Sequence, residues 1–153
     1  IKVQNKRGVD FIIDTLRIEP PNTVSIMCLS SMTNLALALI LAPDITPRIQ
    51  EVVAMAGAYF EGGNITPTAE FNIYVDPEAA TRVLASGIKT TLLPLDVKHQ
   101  MLSTPARLKA MRDVGIKCAA ALNEMMTFSE TFDLKTYQWV LGSETGTVIG
   151  SAR

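Results

Sequence analysis

Histidine occurs once in this chain, as His99, and cysteine twice, as Cys28 and Cys118. The two thiols lie far apart, which excludes a disulfide framework and any cysteine-based metal spacing. Both read as buried free thiols, since an unpaired cysteine behaves as a small hydrophobe. A cysteine nucleophile would need a histidine partner, and a lone His99 beside a strand end reads as packing or capping. Charge of one sign is also lacking. The net charge is −1 and the basic residues are scattered, so there is no electrostatic footprint for nucleic acid or an anionic membrane. The longest apolar stretch, Leu35 to Ala42, falls far short of the ~20 residues a membrane span requires. With no charged leader at the start, the expectation is a soluble, cytoplasmic protein. No G-x-G-x-x-G follows a strand, which argues against a dinucleotide site. No repeat, low-complexity tract or linker divides the chain.

What is present is a core-forming composition, with 48% apolar and 19% charged residues, enough for one domain over residues 1–153. Apolar patterning alternates between strand and helix. A helix is expected from Val9 to Leu16, ending before Pro20-Pro21, then a strand from Thr23 to Leu29 and a helix from Met32 to Leu41 that stops at Pro43. After a turn at Thr46-Pro47 come a strand from Glu51 to Met55, a helix that closes at Gly87, and a strand from Lys89 to Leu95. Helices from Pro105 to Asp113 and from Gly115 to Thr131 complete the pattern. This order predicts an α/β fold: a mainly parallel, open, Rossmann-like sheet with helices on both faces. In residues 134–153, Tyr137 to Leu141 and Thr145 to Ile149 read as short strands or as loose chain.

The segment from Glu61 to Ala80 carries the chemistry. Gly57, Gly62 and Gly63 break regular structure after the Glu51 to Met55 strand, and Asn64, Glu70 and Asn72 follow. Ligands of open α/β sheets sit beyond the carboxyl ends of the strands, where this loop lies. An amide donates and accepts, while a carboxylate accepts from hydroxyl protons, so this inventory suits a polyol. The same amides also tolerate turns by bonding their own backbone, and residue type does not separate the two readings. Asp76-Pro77-Glu78 reads as a helix N-cap, with proline at the first helical position and an acid at the positive end. Glu70 is the one acid of the segment left without a structural task.

The run Gly63-Asn64, Thr66-Pro67, Ala69-Glu70-Phe71-Asn72 and Asp76-Pro77-Glu78-Ala79-Ala80 resembles the signature of the nucleoside hydrolases, the inosine–uridine-preferring nucleoside N-ribohydrolases. Similar matches occur at Val9 to Ile12, Met32 to Ala38, Val53 to Gly57 and Leu95 to Val97. The resemblance is clearest over residues 9–133. It implies hydrolysis of the N-glycosidic bond of ribonucleosides to ribose and free base, within purine and pyrimidine salvage. It assigns ribose contacts to Asn64, Glu70 and Asn72, and places Met55 beneath the sugar.

Cleavage of such a bond passes through an oxocarbenium-like state and needs a positioned water. The family resemblance implies a calcium ion on the ribose hydroxyls, held mostly by an aspartate cluster of the DxDxGxDD kind and by an aspartate in a late His-Asp motif. By register, the backbone carbonyl of Leu29 would be one further ligand. Neither motif occurs among Asp10, Asp14, Asp44, Asp76, Asp96, Asp113 and Asp133. Asp10 and Asp14, at helical spacing, read as solvated helix acids. The expectation is therefore an internal portion of such a protein, inactive alone and not binding calcium alone, and containing none of the catalytic residues. The expected partners are a ribonucleoside or ribose and, as a homo-oligomer, further copies of the chain. The alternative is a truncated, non-catalytic domain that binds ribose or serves a structural, oligomerising role, because unpaired strand edges favour self-association.

Overall fold

The computed structural model describes residues 3–137 and 147–148. The backbone separates into two compact units that meet in sequence at Asp96 and Val97. In the first, α1 (Gly8–Ile18) precedes β1 (Val24–Cys28), α2 (Thr33–Leu41) and a 3-10 helix (Pro43–Arg48). These lead to β2 (Ile49–Met55), α3 (Phe71–Tyr74), α4 (Pro77–Leu84), β3 (Thr90–Leu93) and α5 (Leu95–Lys98), which runs into the second unit. There, β4 (Leu102–Ser103), α6 (Pro105–Asp113), α7 (Lys117–Tyr137) and β5 (Thr147–Val148) follow.

β1, β2 and β3 form a parallel sheet in that order, the open α/β arrangement that the alternation predicts. Parallel neighbours need a long return path, and α2 with the 3-10 helix supplies the first, α3 with α4 the second. The register pairs Cys28 with Ala54 and Met55 with Leu93, so all three strands end along one carboxyl edge.

Strand periodicity puts Ile26, Cys28, Val52 and Ala54 against the helices, and Met27 and Val53 on the opposite face. The core joins these residues to Leu16, Met32, Leu39, Ile45 and Val83. Each fully buried Leu, Ile or Val contributes about 1.5–3 kcal/mol of apolar burial. α2 is apolar at nearly every position, so while Leu35, Ala36, Ala38 and Leu39 fill the core, Leu37, Ile40 and Leu41 are left exposed. On the opposite sheet face Met27 is 67% exposed.

Charged groups close the ends of α1. Arg7 forks onto Asp10 at 2.7 and 3.0 Å, and Lys6 pairs with Asp14, so both helix acids are taken by neighbouring bases. At the other end Arg48 donates from Nε to Leu16 O at 2.6 Å and from Nη2 to Glu19 O at 2.9 Å, satisfying carbonyls that the helix leaves open.

In the second unit α6 begins at Thr104, whose hydroxyl accepts from Arg107 N at 3.3 Å. The buried Asn123 joins α7 to α6, donating to Leu108 O at 2.9 Å and accepting from Arg112 at 3.2 Å. Ala119 shares that face of α7, whereas Cys118, one position earlier, points away and is exposed. The expectation of a buried thiol therefore fails at Cys118 and holds at Cys28, where burial pushes the thiol pKa up. Thr147–Val148 pairs antiparallel with Leu102–Ser103. The rest of the two strand-like runs expected in the tail lies outside the described residues, apart from Tyr137 at the end of α7.

Candidate ribose site at the carboxyl edge

β2 leaves the sheet at Gly57, whose φ of 83° lies in the left-handed region that glycine enters without strain. The chain then loops back over itself. Gly63 N donates to Pro67 O at 3.0 Å, and Asn64 N and Ile65 N both donate to Ala69 O, at 3.1 and 3.2 Å. Only glycine fits at position 63. A Cβ there would lie 2.2 Å from Ala69 O and 2.4 Å from Thr66 O.

The loop ends at Glu70, which is 3% exposed. Its Oε1 accepts from Asn72 N at 2.9 Å, and its Oε2 accepts from Ile73 N at 3.2 Å and from Gly57 N at 3.1 Å. Glu70 therefore has the structural task the sequence did not reveal: it caps α3 and ties the loop's end to its start. A four-residue helix is too short to leave a periodic signal, and this is why the cap was not legible.

Asn64 accepts on Oδ1 from Phe71 N at 2.8 Å. Asn72, 9% exposed, donates from Nδ2 to Met55 O at 2.9 Å and to Met55 sulfur at 3.3 Å. The four residues assigned to ribose by resemblance, Met55, Asn64, Glu70 and Asn72, thus stand in one hydrogen-bonded cluster at the end of β2. Each amide keeps part of its capacity: among the described residues, the Asn64 amide N–H groups, the Asn72 carbonyl oxygen and one lone-pair direction of the Glu70 carboxylate are left over from these bonds. Donors and acceptors of this mix match vicinal hydroxyl groups, each of which donates once and accepts.

Leu29 follows β1 directly. Because Cys28 pairs with Ala54, the register carries Leu29 alongside Met55 at the same edge. Nearby, Ser31 and Thr33 exchange a hydroxyl hydrogen bond at 3.1 Å, and Thr33 donates in turn to Asp76. Asp76 accepts from Ala79 N at 3.0 Å, which makes it the N-cap of α4. The Thr33 hydroxyl and then the Ala79 N–H hold its carboxyl below the usual range.

A fifth side chain belongs to this edge and was missed from the sequence. Asp96, just past β3, accepts from Tyr59 N at 2.8 Å, Phe60 N at 2.7 Å and Glu61 N at 3.0 Å. The Tyr59 N–H and then those of Phe60 and Glu61 lower its pKa to about 2. Leu95 N adds a bond to Gly57 O at 2.9 Å. Asp96 lies 35 to 37 positions from the loop it holds, a pairing that no local pattern encodes.

The profile of the inosine-uridine preferring nucleoside hydrolases matches residues 1–149. The chain belongs to this nucleoside hydrolase family. It is 40% identical over 127 residues to an inosine-uridine preferring nucleoside hydrolase of Leishmania major, covering 83% of this chain and 40% of the relative. It is 43% identical over 136 residues to an uncharacterized protein of Schizosaccharomyces pombe, covering 89% of this chain and 44% of that one. Among solved structures, the purine-preferring ribonucleoside hydrolase of Gardnerella vaginalis superposes with a TM-score of 0.81 at 33% identity, over 94% of this chain and 45% of that one. The chain thus spans less than half the length of these relatives.

Among the described residues, no three His, Cys, Asp or Glu side chains come together where a metal ion could be held. A calcium ion takes six to eight oxygen ligands, and the Leu29 carbonyl would be one. The described residues by themselves do not fit that ion. No helix among them is long and apolar enough to cross a membrane.

Proposed function

We propose that this chain forms the ribose-holding part of a nucleoside N-ribohydrolase, which hydrolyses the N-glycosidic bond of ribonucleosides to ribose and free base. The reading rests on the cluster at the end of β2, where Phe71 N–H holds the Asn64 amide and Met55 and Glu70 hold Asn72, leaving the remaining amide donors and acceptor open. Asn64 and Asn72 would orient the sugar hydroxyls, Glu70 would accept from one of them, and Met55 would line the pocket beneath the ring. Holding the ribose in one pose removes orientational freedom that the reaction would otherwise lose at the transition state. The family's calcium, and any contribution of the Leu29 carbonyl to it, belong to the full-length protein. Two free thiols suit a reducing compartment such as the cytoplasm.

The test is hydrolysis of inosine and uridine by the full-length protein in calcium, compared with its Asn64→Ala and Asn72→Ala variants. The expected outcome is turnover by the parent, a fall of about 100-fold in kcat/KM in each variant, and no turnover by the 153-residue chain alone. Full activity in both variants would remove the ribose assignment.

One observation favours a second reading. Parallel sheets are ordinarily covered on both faces, yet Met27 is 67% exposed and Leu93 39% exposed here. A non-catalytic domain that self-associates through this face accounts for that exposure. Sedimentation of the 153-residue chain separates the readings: a defined homo-oligomer that binds no ribose supports the second.

A further inference from the structure

Tyr59 and Phe60 occupy the outer part of the loop that carries Asn64. They are 79% and 89% exposed, and their rings meet edge to face with centroids 4.6 Å apart. Two large exposed aromatics are a poor use of a surface loop unless something covers them. Their backbone, moreover, is held firmly: the Asp96 carboxylate accepts from three consecutive N–H groups, and Gly57 O is bonded by Leu95 N. A loop fixed from below that presents ring faces outward is preorganised for a flat ligand.

We propose that Tyr59 and Phe60 form a stacking surface for the nucleobase of the bound ribonucleoside, with Asp96 as the positioning residue beneath it. This deepens the ribose assignment and rests on it. In a ribonucleoside the base is joined directly to the sugar, so side chains that meet the base must lie close to those that hold the ribose. Phe60 lies four positions before Asn64 on the same folded loop. An aromatic surface accepts purines and pyrimidines alike, because every base has a π-face. The edge-to-face arrangement leaves a ring face open for such a partner. A protein partner would also cover the pair, but the same loop ends in the polar cluster at Asn64 and Glu70, and this points to a small ligand with one polar and one aromatic half.

The test uses the full-length protein and its Phe60→Ala, Phe60→Trp, Tyr59→Ala and Asp96→Asn variants, with melting temperature as a folding control. Steady-state kinetics on inosine and uridine are paired with calorimetry of ribose alone and of hypoxanthine alone. Stacking contacts of this kind are worth roughly ten-fold or more in affinity. Phe60→Ala should therefore raise KM for both nucleosides about ten-fold and weaken hypoxanthine binding, while kcat and the ribose Kd stay within two-fold. Phe60→Trp should restore KM. Asp96→Asn should raise KM in the same direction, and adding Phe60→Ala to it should raise KM little further. Unchanged KM and hypoxanthine affinity in Phe60→Ala and Tyr59→Ala would overturn the proposal. So would a variant that alters only the sedimentation of the protein, since the pair would then lie between copies of the chain. Loss of the ribose reading would show separately, as ribose affinity unaffected by Asn64→Ala.

Discussion

Two turns leave the carboxyl edge side by side. The one after β2 runs from Gly57 to Glu70; Asp96 holds its start from outside, and its far end is held by its own polar groups, the Asn64 and Glu70 side chains bonding N–H groups of Gly57, Phe71 and Asn72. The one after β1 is short, and its nearest side-chain bonds run outward, from Ser31 through Thr33 to the cap of α4 at Asp76. The difference follows from what each would present. A backbone carbonyl such as that of Leu29 is placed by the course of the chain alone, whatever its side chain. Side-chain amides must be held in one rotamer, and that requires neighbours already bonded to them.

The comparison breaks most sharply at Gly63. In Gly63→Ala the new Cβ would sit 2.2 to 2.4 Å from the backbone of Thr66 and Ala69, and main-chain atoms cannot yield as a side-chain tip does. A loss of about 3 kcal/mol in chemical denaturation is expected, together with loss of ribose binding in the full-length protein. Next is Glu70→Gln, which keeps the shape but turns an NH2 toward N–H groups that need an acceptor. About 2 kcal/mol should be lost, measurable by urea titration, with slower proteolysis of the parent than of the variant at the loop.

Acid gives a smaller and more local effect. The folded pKa of Asp96, about 2, lies below its ordinary 3.8, so its hold on the loop is complete above 3.8 and is lost as pH falls through about 2. Amide shifts of Tyr59, Phe60 and Glu61 should move in that window, and Asp96→Asn should abolish the movement. Thr33→Val removes the donor to Asp76 at nearly constant volume. It should cost about 1 kcal/mol in a thermal melt and leave ribose affinity unchanged, because the bonds of Thr33 run to Ser31 and Asp76 and not to the amide cluster. Last, Lys109→Ala deletes an exposed pair with Asp113 on α6, and should shift stability by no more than about 0.5 kcal/mol.

Much of this was legible in the sequence, for identifiable reasons. The strands and the longer helices show through β-branched runs, 3.6-residue spacing and proline stops; the helix expected from Pro105 to Asp113 has those bounds as α6. Asp76 before Pro77 marks the start of α4 because a cap acts on residues three positions away. The short α3 and α5 and the 3-10 helix left no periodic signal. Within the candidate site, the family resemblance singled out Asn64, Glu70 and Asn72, but the bonds that hold them did not appear, since Glu70 reaches back 13 positions to Gly57 and Asp96 reaches 37 to Tyr59. Cys118 was misplaced because the run of alanines that follows it, Ala119 to Ala121, hides which face of α7 turns inward.

The reach of Glu70 also bears on the order of folding. Bringing together ends about ten residues apart takes ~10–100 ns, so the bond from Gly57 N to Glu70 can close before β1, β2 and β3 have assembled. Asp96 arrives only with β3, from much farther along the chain. By loop length alone, the closure between Gly57 and Glu70 is expected ahead of the bonds by which Asp96 fixes Tyr59 and Phe60.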